Sequence, residues 1–243
     1  MVAGLKTCLA HYYSWFYTLS GTSQVPERLM IFVDGQNLIY ACQQFAAAQG
    51  PNCRFFYNEE QLEQCLISMQ PNRRHVQTRF YTAIASPDPA RGQSDVERFE
   101  RQWKRQEVLK KKLKWEVFSK KSKAYPFFCP HCRWKGLQTP VVCQKCGNEL
   151  KELKNKGVDV ALAVDLLMYG MSDTTSSYDV AILVSGDNDF VPVIEKLKDR
   201  RPQVKVEIAQ FENAVGFDMK RVSDKFYPLD NIADKIGKLK KFV

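Results

Sequence analysis

From Arg28 onward the chain repeats one pattern, in which a short apolar run ends on turn residues and a longer amphipathic stretch follows. Leu29-Met30-Ile31-Phe32-Val33 is continuously apolar and stops at Asp34-Gly35, which predicts a strand buried on both faces. Leu38 to Ala48 predicts a helix stopped by Gly50-Pro51, and Leu62 to Met69 a second helix before Pro71. Val76 to Ala85 is rich in β-formers and predicts a second strand. Ser94-Asp95-Val96-Glu97 has capping-box spacing, and Val96, Phe99, Trp103 and Leu113 give the helix it opens a rough apolar stripe. Lys114 to Ser119 reads as a third strand. Val158 to Met171 is a helix that is apolar nearly all round and is therefore expected to be buried. Val180 to Val184 is another buried strand, Phe190 to Arg200 a helix, and Val204 to Ala209 a last central strand. Strands alternating with helices predict a three-layer α/β domain with a mainly parallel sheet.

At 243 residues the chain is long enough for one sizeable core plus a small satellite. Its net charge of +9 draws it toward polyanions, nucleic acid above all. Leu9 to Leu19 is aromatic and lacks Lys, Arg, Asp and Glu, but it is too short and too polar to span a membrane. No convincing cleavage site follows it, so it reads as an extra docking helix or as an early start. Stable membrane insertion is not expected.

In parallel sheets ligands sit beyond the carboxyl ends of the strands, and the acids cluster there. Asp34 and Asn37 follow the first strand, Asp187 and Asp189 follow the Val180 strand, and Asp159 opens the Val158 helix. Each alone could be a helix cap or a turn residue. Asp165 lies about 600° around the helix from Asp159, so it faces away and reads as structural. Histidines are few and no Gly-rich phosphate loop is present, so the cluster suits a hard cation with oxygen ligands, Mg²⁺ or Mn²⁺. That is the chemistry of phosphodiester hydrolysis.

Cys129-Pro130-His131-Cys132 and Cys143-Gln144-Lys145-Cys146 are two knuckles a hairpin apart. Four thiolates suit one tetrahedral Zn²⁺ with no open position, hence a structural site. Close Cys-x-x-Cys pairs in a chain this long fit a reducing, cytoplasmic setting better than a disulfide scaffold. The other cysteines, Cys8, Cys42, Cys53 and Cys65, read as packing residues. Lys110, Lys111, Lys112, Lys114, Lys120, Lys121 and Lys123 precede the knuckles, with aromatics interleaved, and Arg133, Trp134 and Lys135 follow inside them. Alternating cations and aromatics can bind a single nucleic-acid strand; a solvated helix face explains any one of them equally well.

The motifs VDGQN, KGVDVALAVDLL and SGDNDF, in that order, resemble the NYN domain, the LabA-like branch of the PIN-like nucleases. RFYTAIAS and SDKFYPL add to the likeness, which spans roughly Arg28 to Leu229 apart from the cysteine insert. The resemblance implies a Rossmann-like PIN fold, a Mg²⁺ or Mn²⁺ site made by Asp34, Asp159, Asp187 and Asp189 with Asn37 as companion, and cleavage of RNA, read here as endonucleolytic. It divides the chain into an extension and linker (1–26), an NYN core in two parts (27–124 and 152–230), a zinc-ribbon insert (125–151) and a basic tail (231–243). The competing reading is a non-catalytic RNA- or protein-binding regulator on the same fold. A homodimer or a protein partner through the ribbon or the N-terminal extension stays open.

Overall fold

The computed structural model describes residues 25–85, 93–122 and 157–242, and within the cysteine-rich segment 127–128, 132, 135–136, 141–142, 146 and 149–150. The elements run β1 (Glu27–Asp34), α1 (Gly35–Ala48), β2 (Cys53–Tyr57), α2 (Glu59–Ser68), β3 (Arg73–Ala85), α3 (Gln93–Lys111) and β4 (Glu116–Ser122). Four two-residue strands follow: β5 (Phe127–Phe128), β6 (Lys135–Gly136), β7 (Val141–Val142) and β8 (Glu149–Leu150). Then come α4 (Gly157–Met171), β9 (Val180–Val184), α5 (Val191–Arg200), β10 (Lys205–Gln210), α6 (Phe217–Val222), β11 (Lys225–Pro228), α7 (Ala233–Ile236) and β12 (Gly237–Lys241).

Six strands form one sheet in the order β11-β10-β9-β1-β3-β4, and every neighbouring pair is parallel. The two continuously apolar runs, β1 and β9, lie side by side at its centre, Leu29 opposite Val180 and Val33 opposite Val184. They must lie there, because only a central strand of a covered sheet buries both faces. Leu29, Ile31 and Val33 point into a core closed by Leu38, Ala41 and Ala46 of α1, Leu62 and Leu66 of α2, and Leu109 of α3. Met30 and Phe32 point the other way, into a core closed by Leu162 and Leu166 of α4 and Ile194 and Leu197 of α5. The result is the expected three-layer α/β arrangement. Among the described residues no helix is long and apolar enough to cross a membrane.

Two features differ from the sequence reading. The residues read as a basic tail form α7 and then β12, which pairs antiparallel with β2, Gly237 opposite Tyr57 and Lys241 opposite Cys53. β12 does not advertise itself, because Gly-Lys-Leu-Lys-Lys is a poor β-former and its pairing comes from a partner far away in sequence, whereas the aromatic β-formers of β2 (Cys-Arg-Phe-Phe-Tyr) were a signal that went unread. Arg54 stacks over the Phe242 ring and Lys240 over Phe56, so the lysines act as solvated edge residues of this small ladder.

The second difference is α4, which is not buried all round. Val158, Leu162, Leu166 and Gly170 are buried, while Val160, Val164 and Met168 are 58%, 51% and 64% exposed. The two rows are offset by two residues, about 200° around the helix, so they lie on opposite faces. Truncating the two faces should therefore have different costs. Leu166→Ala is expected to lose about 3 kcal/mol of stability through cavity formation, and Met168→Ala less than about 0.5 kcal/mol, as read from urea-unfolding midpoints. Equal losses would contradict the assignment of faces.

Candidate active site at the carboxyl edge of the sheet

Because Val33 and Val184 are paired, the residues that follow them, Asp34 and Ser185, emerge together at the carboxyl edge. Asp34 caps α1: one carboxylate oxygen accepts from the backbone N–H groups of Gln36 at 3.2 Å and Asn37 at 3.0 Å. The other accepts from the Ser185 hydroxyl at 3.2 Å. The Asp34 side chain is buried, and Ser185 is fully so. The Ser185 oxygen in turn accepts from the Asp187 N–H at 3.2 Å, which couples the first acid to the loop that carries the second.

Asn37 completes the frame. Its side-chain carbonyl oxygen accepts from the Gly186 N–H at 3.0 Å and from Gln210 Nε2 at 2.8 Å. Gln210, at the end of β10, is fully buried and spends its own carbonyl oxygen on the Phe211 N–H. One amide thus pins the ends of β1, β9 and β10. With that oxygen engaged, Asn37 is a positioning residue. Gly186 has to be glycine, since a Cβ there would overlap the carbonyl oxygen of Ala214. Asp187 caps a short 3₁₀ turn, accepting from the Asp189 N–H at 3.0 Å, and is half-buried, whereas Asp189 is exposed at the rim. Asp159 stands in the first turn of α4, half-buried.

Burial pushes the Asp34 carboxyl up to about 6, with the Asn37 N–H opposing and the charges of Asp159 and Asp187 adding to the rise. Both acids are thus close enough to act on Asp34. Among the described residues, no three His, Cys, Asp or Glu side chains are gathered tightly enough to hold one ion by themselves. The donors are nonetheless all oxygens, and Mg²⁺ commonly takes only one or two carboxylates, completing its shell with water and substrate oxygens. Asp165 turns away, accepting from the Tyr81 hydroxyl at 2.7 Å and Arg79 at 3.0 Å, a structural use as expected.

The basic run divides. Lys110, Lys111 and Lys112 lie at the end of α3, where Lys111 pairs with Glu107 at 2.8 Å and Lys112 with Glu60 at 3.3 Å. Lys114 precedes β4, whose first residue Glu116 is level, across β3, with Phe32 rather than Asp34. None of the four is brought to the aspartates. Lys120 is different, because it pairs with Ala83, beyond the level of Asp34, and its ammonium lies against Gly157 at the start of α4. Sequence reasoning placed Lys120 in the basic run without setting it apart, and missed Ser185 and Gln210 as site residues. An amide ending the buried stretch Ile208-Ala209-Gln210 was the available signal for Gln210. Cys129, Cys143, Arg133 and Trp134 lie outside the described residues. Cys132 and Cys146 are half-buried, and Lys135 is described only as strand backbone.

The chain is 24% identical over 216 residues to the low amplitude and bright protein LabA of Synechococcus elongatus, an alignment covering 89% of this chain and 91% of that one. A crystal structure of a protein of unknown function from Vibrio parahaemolyticus is similar with a TM-score of 0.57 at 21% identity, over 89% of this chain and 99% of that chain, which supports the fold alone. The NYN domain model matches residues 28–230, from the start of the central strand β1 to just past β11 and across all the acids described above, so the chain belongs to the NYN domain family.

Proposed function

We propose that the protein is a divalent-metal-dependent ribonuclease that hydrolyses phosphodiester bonds within single-stranded RNA in the cytoplasm. The observation that carries this reading is the buried Asp34 carboxyl, fixed by three hydrogen bonds at the carboxyl edge and acted on by Asp159 and Asp187. Three like charges at one edge are costly without a counter-charge. Asp34, Asp159 and Asp187 would hold Mg²⁺ or Mn²⁺, which when bound supplies charge neutralisation at the phosphate and activation of water. The chain does the rest. Ser185 and the α1 N-terminus fix the rotamer of Asp34, and Asn37 with Gln210 holds the Gly186 turn so that Asp187 faces the same edge. Lys120 offers a cation at the mouth of the site for the RNA backbone, and Asp189 stands at the rim as a further oxygen donor.

The zinc ribbon belongs to the same proposal. β5 pairs with β6 and β7 with β8, both antiparallel, so each Cys-x-x-Cys falls in sequence between the strands of one small ladder. Cys129, Cys132, Cys143 and Cys146 would hold one structural Zn²⁺, with Arg133, Trp134 and Lys135 on the same insert available to RNA.

Mixed-sequence RNA incubated with Mn²⁺ tests the activity. Asp187→Asn is expected to lower cleavage at least about 100-fold while RNA binding persists. Lys120→Ala is expected to weaken binding and reduce the salt slope by about 0.7. Wild-type cleavage no faster than Asp187→Asn would instead favour a binding regulator.

The buried carboxyl also has a stability signature in metal-free protein. Its folded pKa lies above its unfolded one, so the contribution is fully present below pH 4 and is lost as pH rises through about 6. Asp34→Asn keeps the capping oxygen and removes the charge. Relative to wild type it should gain up to about 3 kcal/mol between pH 4 and pH 7 in chelator, by urea unfolding. A pH-independent difference would show that the site is not electrostatically strained.

Elemental analysis of protein purified without chelator should find one zinc per chain, held by thiols that resist modification until the metal is stripped. Zinc-free protein with freely reactive thiols would refute the ribbon.

A further inference from the structure

The exposed face of α4 has no partner among the described residues. Val160, Val164, Met168 and Met171 form a continuous apolar row on the side of the helix opposite Leu162 and Leu166. A helix needs one apolar face to join a core, and a second one left in water is a docking surface. The chain carries an apolar segment that matches it in length and character. Leu9 to Leu19 holds Tyr12, Tyr13, Trp15, Phe16 and Tyr17 with no Lys, Arg, Asp or Glu.

Where that segment leaves the domain decides the pairing. The described chain enters at Val25, two residues before β1. Arg28 is tied by its guanidinium to the Thr174 carbonyl at 2.7 Å and to Asp179 at 2.7 and 3.0 Å, and Thr174 lies three residues beyond Met171. The described chain therefore starts near the carboxyl end of α4, where the row begins. Residues 20–26 span at most about 25 Å when extended, and α4 is about 22 Å long, so Leu9 to Leu19 can reach every position of the row. In sequence Leu9, Tyr12, Phe16 and Leu19 recur at helical spacing, which would present one apolar side of similar length.

We propose that Leu9 to Leu19 docks on the outer face of α4 of its own chain, covering Val160, Val164, Met168 and Met171. The far end of the row adjoins Asp159, so the docked segment backs the helix that delivers this acid to the carboxyl edge.

The full-length chain carrying Met168→p-benzoylphenylalanine tests this by photo-crosslinking, followed by gel separation and peptide mapping. The expected product runs as a monomer with its adduct in residues 9–19. Trp15→Ser with Phe16→Ser in the same chain should lower that yield several-fold, and neither position lies in the folded domain described above. In the wild-type chain chymotrypsin should cut within residues 9–19 at least tenfold more slowly than in Met168→Glu. A crosslinked dimer, with the adduct on a second copy's α4, would overturn the proposal in favour of self-association. An adduct yield that ignores the Trp15 and Phe16 replacements, or cleavage that ignores Met168→Glu, would overturn it as well.

Discussion

The Asn37 side-chain oxygen accepts two hydrogen bonds, from the Gly186 backbone and from Gln210, and these join the carboxyl ends of β1, β9 and β10. Around that amide the Asp34 carboxyl is buried with both oxygens engaged, by N–H groups of the α1 start and by Ser185. The arrangement answers two requirements at once. Buried polar groups must be hydrogen-bonded, and a carboxylate that is to work in a low-dielectric site must be held in one rotamer before anything binds. Meeting the first requirement with backbone groups and neutral side chains leaves Asp34 without a cationic partner among the described residues, and burial and the neighbouring acids push its proton affinity up. The scaffold is complete while the charge is not.

That imbalance decides which parts of the surrounding structure matter. The sheet order puts the two apolar central strands together, so their ends, and the acids on them, are adjacent by construction. α4 starts at the same edge and contributes Asp159 from its first turn, where the helix dipole favours an anion. Lys120 arrives from β4 with its ammonium against Gly157 at the start of α4. Asp34, Asp159, Asp187 and Lys120 thus reach the carboxyl end of the sheet from four separate elements, although no two of these groups are close in sequence.

Much of this was legible from residue pattern. β1 and β9 announce themselves because a strand buried on both faces needs an uninterrupted apolar run, and the acids that follow them inherit their position from the strand ends. What was not legible depended on partners distant in sequence. β12 is a strand only because β2 is beside it, and Lys238 and Lys240 look like tail lysines without that partner. The outer row of α4 looked buried because apolar content reports how many faces could be covered, not how many are. The lysines before the knuckles read as one basic run, yet strand register separates Lys120, two residues past the level of Asp34, from Lys114, which lies below it. Ser185 and Gln210 act through hydrogen bonds to groups on other strands, and periodicity carries no record of such bonds.

The claim that this edge holds a catalytic cation is tested most directly by the anomalous difference density of crystals grown in Mn²⁺. The expected result is a peak at the carboxyl edge about 2.1 Å from carboxylate oxygens of Asp34, Asp159 or Asp187, absent from crystals of Asp34→Asn grown the same way. A structure at saturating Mn²⁺ with no peak there, or with manganese bound only elsewhere on the surface, would contradict it.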